Sequence, residues 1–139
     1  MVDLFQKIDF VSHSGIPMKW KIECDAISLM EWECIAHMIK ETEQQPWRKA
    51  IGIPRGGVTL GLCLDKFSTG VETHPILIAD DVYTTGRSFK DFVNENYPND
   101  ATIQWCVFAR QPTTGRVKAL FTMPERGRKG TNWSQFNEN

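Results

Sequence analysis

A short apolar run, Ile-Leu-Ile-Ala at residues 76–79, constrains the fold of this chain more than any other stretch. Four apolar residues are too few for a buried helix, so the run predicts a short buried strand that ends at Asp80. Further along, the spacing of Phe89, Phe92 and Val93 predicts a helix. The Thr-Thr-Gly stretch between them is therefore expected to be a loop that leads from a strand end into a helix start.

A loop of this kind is a favourable site for a phosphate group. Unpaired backbone N–H groups collect there at the positive end of the helix dipole, and the hydroxyls of Thr84, Thr85 and Ser88 offer further donors. Ionised Asp80 and Asp81 only accept hydrogen bonds, so they suit hydroxyls or a nearby cation instead. A ribose 5-phosphate satisfies both requirements. The alternative is an ordinary turn with two solvated aspartates and a capping threonine.

A second strand, loop and helix precede the first set. Residues 49–53 (Lys-Ala-Ile-Gly-Ile) predict a strand, and Pro-Arg-Gly-Gly follows at residues 54–57. Two glycines after an arginine allow backbone N–H groups to turn outward around an anion. A buried helix is expected next, with the apolar residues Val58, Leu60, Gly61, Leu62 and Leu64. The alternative is a glycine-rich turn whose arginine is merely exposed.

The remaining elements alternate in the same way. Ser28 and Glu31 form a capping box at the start of a helix whose docking face holds Trp32, Ile35, Ala36 and Ile39. Residues 102–109 predict a central strand and residues 117–123 a last one. The pattern predicts an α/β fold with a parallel sheet, right-handed crossovers and ligands at the carboxyl ends of the strands. Before the first helix, a Ser-Gly-Ile-Pro turn and the alternation after it predict a hairpin-like lobe.

Composition narrows the class of protein. The chain has 139 residues, which suits one domain, and a formal net charge of −1, which argues against bulk binding to nucleic acid or to an acidic membrane. Its four cysteines show neither a C-x-x-C pair nor metal-ligand spacing, as in a reducing cytoplasm. No signal segment and no apolar run of about 20 residues occurs in it. We expect a cytoplasmic protein.

The run from residue 76 to residue 88 resembles the phosphoribosyl pyrophosphate (PRPP) signature of the type I phosphoribosyltransferases. The resemblance implies that Asp80 and Asp81 hold the ribose 2- and 3-hydroxyls. It implies a 5-phosphate loop made of Val82, Tyr83, Thr84, Thr85, Gly86, Arg87 and Ser88. The earlier corner looks like the pyrophosphate loop of the same enzymes, with Arg55, Gly56 and Gly57 as its working residues. Asp80, Asp81 and Arg55 are the implied catalytic residues, and Mg²⁺ is the implied cofactor.

Most of the chain is similar to orotate phosphoribosyltransferase. Phe-Val-Ser-His-Ser-Gly at residues 10–15 resembles the start of that family's base-covering hood, and Ala-Arg-Gln at 109–111 resembles its Asp-Arg-Gln. The base-binding residues implied are Arg110, His13 and Lys21. His13 stands where the family has a lysine, and Lys21 where it has an aromatic residue. The resemblance also implies a homodimer, and one domain whose core spans about 28–111 and whose hood comes from about 1–27 and 112–139.

The clearest departure from the family is a deletion. Only one helix and one short loop fit between Arg55 and Asp80, where type I enzymes have two further strands and a mobile loop with a catalytic lysine and histidine. Lys66 and His74 are the only candidates there. One hypothesis is that Arg126, Arg128 and Lys129 fold back over the pyrophosphate instead.

Two functions follow from these observations. The first is transfer of ribose 5-phosphate from PRPP to a ring nitrogen of a base, with an orotate-like pyrimidine favoured. The second is a PRPP- or nucleotide-binding regulatory module that has lost the chemistry, which the deletion favours. An RNA-binding regulator on the same fold is disfavoured by the near-neutral charge.

Overall fold

The computed structural model describes residues 23–123 in full, together with the backbone of four short strands before them. These strands are β1 (Phe5–Gln6), β2 (Phe10–Val11), β3 (Pro17–Met18) and β4 (Lys21–Ile22). β1 pairs antiparallel with β4, and β2 pairs antiparallel with β3, so one hairpin lies inside the other in the sequence. The predicted hairpin-like lobe is confirmed in this backbone.

The main body is a parallel sheet with helices packed on it. A 3₁₀ turn at Cys24–Ala26 precedes helix α1 (Leu29–Thr42). After it come β5 (Lys49–Gly52), α2 (Val58–Asp65), β6 (Ile76–Tyr83), α3 (Arg87–Asn96), β7 (Thr102–Ala109) and β8 (Val117–Thr122). The order across the sheet is β5-β6-β7-β8, and every neighbouring pair is parallel. The predicted α/β class is confirmed.

Local sequence explains where α1 begins and how it docks. The hydroxyl of Ser28 accepts a hydrogen bond from the N–H of Glu31 at 3.2 Å, and the carboxylate of Glu31 accepts one from the N–H of Ser28 at 2.9 Å. This is the predicted capping box. Trp32, Ala36 and Ile39 are buried as expected, whereas Ile35 is only half-buried.

The two faces of the sheet carry different helices. Alternate β6 residues Leu77 and Ala79 pack in one cluster with α1 and α2, while Ile76 and Ile78 pack in the other with Phe89 of α3. From β5 to β6 and from β6 to β7 the chain moves in the same direction across the sheet. The first connection runs over one face and the second over the other, so the two crossovers must have opposite hands. One of the two is left-handed, so the expectation of uniformly right-handed crossovers is wrong.

The loop between α2 and β6 explains how the chain changes faces. It passes the amino end of β5, where the N–H groups of Thr69 and Gly70 donate to the carbonyls of Trp47 and Arg48 at 2.9 and 3.1 Å. The N–H of Arg48 in turn donates to the carbonyl of Pro75 at 2.9 Å. The chain therefore passes the amino end of β5 and enters β6 directly. All residues between α2 and β6 are described, and they form no further strand.

Three sequence expectations need correction. β6 does not end at Asp80 but continues to Tyr83, because its pairing with β7 continues through Val82 and Tyr83. Val58 and Leu62 of α2 are exposed rather than buried, since they lie on the face of that short helix turned away from the sheet. Residues 117–122 belong to the core sheet as β8, so the hood does not begin at residue 112. Within residues 23–123, no helix has the length and apolar character to cross a membrane.

Candidate ligand-binding site

Three loops meet at one edge of the sheet. Residues 53–57 follow β5, residues 84–86 follow β6, and Arg110 follows β7. Because the strands are parallel and adjacent, their carboxyl ends share this edge. The helices after β5 and β6 lie on opposite faces, and a crevice at such a switch of faces is where open α/β sheets bind ligands.

The loop after β5 contacts the carboxylate that lies near the end of β6. A Cβ atom added to Gly56 would lie 2.6 Å from Cγ of Asp81, so a larger residue would have to displace that carboxylate. A Cβ on Gly57 would lie 2.6 Å from the carbonyl oxygen of Ala79. Both glycines therefore let the loop lie directly against β6. The peptide bond between Pro54 and Arg55 is cis, and Arg55 is exposed.

Asp80 and Asp81 differ in their surroundings. Asp80 is 7% exposed and its carboxylate accepts the N–H of Asp81 at 2.8 Å. Asp81 is half-buried and accepts the N–H of Val82 at 2.7 Å. Burial, and then the negative charge of Asp81, raise the pKa of Asp80 to about 8. At neutral pH Asp80 therefore favours its protonated form.

The loop after β6 packs against the aromatic ring of Tyr83. Gly86 has φ +83°, and a Cβ there would lie 2.9 Å from the ring of Tyr83. Tyr83 is 3% exposed, so its side chain belongs to the core rather than to the loop surface. Thr85 accepts the N–H of Arg87 at 3.3 Å. Gly86 is the N-cap of α3 and provides no side-chain cap, so apart from the N–H of Arg87 that Thr85 accepts, the first N–H groups of the helix have no cap from this residue.

Two residues after β7 brace this edge. The side-chain amide of Gln111 donates to the carbonyl of Thr84 at 2.7 Å, and the N–H of Arg110 donates to the carbonyl of Tyr83 at 2.9 Å. Arg110 is 9% exposed, and burial lowers the pKa of its guanidinium to about 10, so it remains a cation at neutral pH. The role of Gln111 was not predicted, since its contact spans distant parts of the chain.

Two cysteines, Cys24 and Cys106, lie beside the carboxylate pair. Burial, followed by the charge of Asp81 and a hydrogen bond to it, raises the pKa of the Cys24 thiol. Burial and then the charge of Asp80 raise the pKa of Cys106 to about 12. Cys106 lies opposite Asp80 in the β6-β7 register, a pairing that a strand alignment could have found. The contact of Cys24 had no signal in the sequence.

The candidates for a catalytic lid lie at the wrong edge of the sheet. Lys66 follows α2 and pairs with Glu33 at 3.1 Å, and His74 lies against Thr69 at 2.7 Å, just before β6. From Ile76 to Asp80 the strand rises roughly 13 Å, so His74 is far from the crevice. Neither side chain can close over it.

Several predicted residues fall outside the described part. His13 and the three cations Arg126, Arg128 and Lys129 lie there entirely. Lys21 has only its backbone described, in β4. Among residues 23–123, no group of three or more His, Cys, Asp or Glu side chains forms a metal site. Asp81, which is half-buried, is the side chain best suited to meet a hydrated Mg²⁺, which takes few protein ligands.

The fold is that of the type I phosphoribosyltransferases. Among solved structures, the chain is similar to the orotate phosphoribosyltransferase of Aeropyrum pernix. The two are 17% identical with a TM-score of 0.69, and the match covers 86% of this chain and 88% of that one. At such identity the likeness concerns the fold.

Two further structures share this architecture. The orotate phosphoribosyltransferase of Mycobacterium tuberculosis, in complex with inorganic phosphate, is 13% identical with a TM-score of 0.62, over 84% of this chain and 87% of that one. The UMP synthase of Leishmania donovani is 10% identical with a TM-score of 0.71, over 86% of this chain but 34% of that one. No protein-family model and no curated protein sequence matches this chain.

Proposed function

We propose that this chain binds PRPP with Mg²⁺ and transfers its ribose 5-phosphate to a ring nitrogen of a nucleobase, releasing pyrophosphate. The observation that carries this proposal is the close approach of Gly56 to the carboxylate of Asp81. It brings the loop after β5 against the carboxyl end of β6, which leads directly into the loop at residues 84–86, so that one crevice can hold a ligand with a phosphate at each end. The similar fold of the two orotate phosphoribosyltransferases supports the same function.

The parts of the ligand follow from the chemistry of each loop. The 5-phosphate meets the open start of α3 at Gly86, where N–H groups and the helix dipole favour an anion. The pyrophosphate meets Arg55 and the amides of Gly56 and Gly57. Asp80 and Asp81 accept hydrogen bonds from the ribose hydroxyls. Mg²⁺, when bound, would neutralise negative charge on the pyrophosphate.

In the reaction, a lone pair of the base nitrogen forms a bond to C1 of the ribose. The bond from C1 to the pyrophosphate oxygen breaks with inversion, and its electrons leave with the pyrophosphate. The carboxylates of Asp80 and Asp81 stabilise the positive charge that develops at the sugar, and Arg55 stabilises the leaving group. The ring nitrogen loses its N–H proton as the new bond forms, and water or the departing pyrophosphate can accept it without a side-chain general base.

Arg110 is the candidate for recognising the base. Arg110 directly follows β7, its backbone N–H bonds to the end of β6, and a guanidinium binds a carboxylate through two charge-assisted hydrogen bonds. An orotate-like pyrimidine therefore fits better than a purine. His13 and Lys21 of the N-terminal lobe are proposed to complete the base site, in a homodimer.

A second candidate function is a binding module that holds PRPP or a nucleotide without turnover. The position of Lys66 and His74 at the opposite edge of the sheet favours it, because no residue between Arg55 and Asp80 can cover the pyrophosphate. Closure over a leaving group normally excludes water and adds charge to the transition state. The transferase therefore requires cover from another segment, for which Arg126, Arg128 and Lys129 are proposed.

Calorimetric titration with PRPP and Mg²⁺, followed by pyrophosphate release over a panel of bases, tests both functions. Arg55→Ala is expected to weaken PRPP binding about tenfold or more, since it removes a charge-assisted contact. Arg48→Ala is the matched control, because Arg48 precedes the same strand at the opposite edge and pairs with Asp100 at 3.1 Å. Its effect on binding should be small.

The outcomes separate the two candidates. Binding together with pyrophosphate release for one base establishes the transferase and its substrate. Binding that Arg55→Ala weakens, without release for any base, establishes the binding module. Absence of PRPP binding, or equal loss in Arg55→Ala and Arg48→Ala, contradicts both.

A further inference from the structure

The connection from β7 to β8 is unusually short for two parallel neighbours. Only residues 110–116 join the strands, and they contain no helix. Parallel strands normally need a crossover of about a dozen residues or more, usually a helix that covers one face of the sheet. One face of β7 and β8 therefore lacks the cover that such a helix would give.

A cavity of about 830 Å³ lies at this place, between α3 and residues 114–117. Phe89 and Val117 are buried beside it and Val93 is half-buried, so its floor is apolar. Thr114 and Asn94 add polar groups to the wall. Small-molecule sites typically have this mixture and enclose about 300–1,000 Å³.

The charges around the cavity are mostly positive. Arg87, Lys90 and Arg116 line it, against the single carboxylate of Asp91. Arg87 pairs with Asp91 at 3.6 Å, which leaves Lys90 and Arg116 as the excess positive charge. Exposed cations around an apolar floor favour a ligand with an anionic group and an apolar or ring body.

The cavity is separate from the PRPP crevice, although the two share a wall. Arg55, Asp80, Asp81 and Arg110 do not line it. Tyr83, Thr85, Gly86 and Arg87 of the proposed 5-phosphate loop do, and the Tyr83 hydroxyl lies 3.1 Å from the hydroxyl of Thr114. A ligand that meets Lys90 and Arg116 would therefore also lie against part of the proposed 5-phosphate loop.

The C-terminal segment of the chain does not complement this charge. Residues 124–139 contain Arg126, Arg128 and Lys129 against Glu125 and Glu138, so their side chains are net positive. We propose that the cavity binds a small organic phosphate with a ring, of the nucleoside monophosphate class. Its phosphate meets Lys90 and Arg116, and its ring lies over Phe89 and Val117. This proposal does not depend on the transferase reaction.

Amide chemical shifts measured on the full chain test it, with UMP, AMP, uridine and inorganic phosphate as separate probes. Shifts at Asn94, Gly115 and Val117 report the cavity, and shifts at Gly56 and Asp81 report the crevice. We expect UMP or AMP to move the cavity amides at lower concentration than inorganic phosphate or uridine does. If the cavity binds both the phosphate and the ring, a nucleotide must bind there more strongly than inorganic phosphate or uridine alone.

Charge variants separate a built site from general attraction. Lys90→Ala with Arg116→Ala is expected to weaken nucleotide binding at the cavity about tenfold or more, while Lys90→Arg with Arg116→Lys keeps most of it. Lys40→Ala on α1, on the other face of the sheet, should have little effect. Lys90 and Arg116 are exposed, so these variants are expected to fold normally. Shifts at the crevice amides only, or cavity binding unchanged by the double alanine variant, would overturn the proposal.

Discussion

Replacing Asp80 by asparagine is expected to stabilise the protein, and by an amount that grows with pH. Asp80 is 7% exposed in β6, and burial followed by the charge of Asp81 raises its pKa from 3.8 to about 8. Asparagine has nearly the same shape, and its amide oxygen can still accept the N–H of Asp81. It carries no charge at any pH.

The direction follows from which state holds the proton. Below about pH 4 the carboxyl is protonated in both the folded and the unfolded chain, so it has no effect. Between about pH 4 and 8 the unfolded chain loses a proton that the folded chain keeps, and the free energy of unfolding falls as pH rises. Above about pH 8 Asp80 is ionised in the folded chain as well, and the whole cost of its buried charge is subtracted from the free energy of unfolding.

The magnitude can be bounded from the same shift. Each pKa unit corresponds to about 1.4 kcal/mol, so a shift from 3.8 to about 8 limits the penalty to about 6 kcal/mol. Asp81 is half-buried, so water at the crevice screens part of the repulsion. We therefore expect Asp80→Asn to gain roughly 2–3 kcal/mol at pH 9 and little at pH 5.

Urea unfolding at pH 5, 7 and 9 measures this gain. Asp91→Asn serves as a control, since Asp91 is an exposed aspartate of α3 whose removal should change stability by at most about 0.5 kcal/mol. A gain that is equal at all three pH values, or a loss that deepens toward pH 9, would refute the idea that folded Asp80 holds its proton at neutral pH.

Three further predictions concern the carboxylate pair, the core and the proposed lid. Binding of PRPP with Mg²⁺ at pH 7 should release about one proton from wild type and none from Asp80→Asn, because diol and cation favour the ionised carboxylate; calorimetry in buffers of different ionisation enthalpy measures it. Glu43→Gln should lower the free energy of unfolding by about 2–3 kcal/mol in urea titrations, since the buried Glu43 carboxylate accepts Lys118 at 2.6 Å and Trp105 at 2.9 Å. The exposed Glu41→Gln should change little. Changing Arg126, Arg128 and Lys129 together to alanine should cut PRPP affinity and turnover steeply, and an unchanged rate in steady-state assays would discard the lid.

Much of the site could be predicted because its signals are local in the chain. The loops at Gly56 and at Gly86 each lie between a strand end and a helix start, and all the signals for each loop fall within a few residues. Which edge of the sheet they share then follows from parallel strand order. The burial of Tyr83 was not predicted, because it depends on β6 continuing alongside β7, which lies further along the chain.

Contacts between distant segments could not be predicted in the same way. Gln111 braces Thr84, and Cys24 meets Asp81, only after the hood and the strand ends have come together. The residues of each pair are far apart in the chain, and no motif or periodicity in the sequence connects them. The same holds for the cavity beside α3, since a short connection becomes an uncovered face only when β8 pairs in the sheet.

By itself, the sequence determined the class of fold, the limits of most strands and helices, and the two loops suited to anions. Periodicity, capping and glycine position act between near neighbours, so they can be recognised without coordinates. The tertiary structure decided the hand of the crossovers, the protonation of Asp80 and the distance of His74 from the crevice. Each of these depends on which distant residues exclude water or lie opposite one another, and only the packed chain brings those residues together.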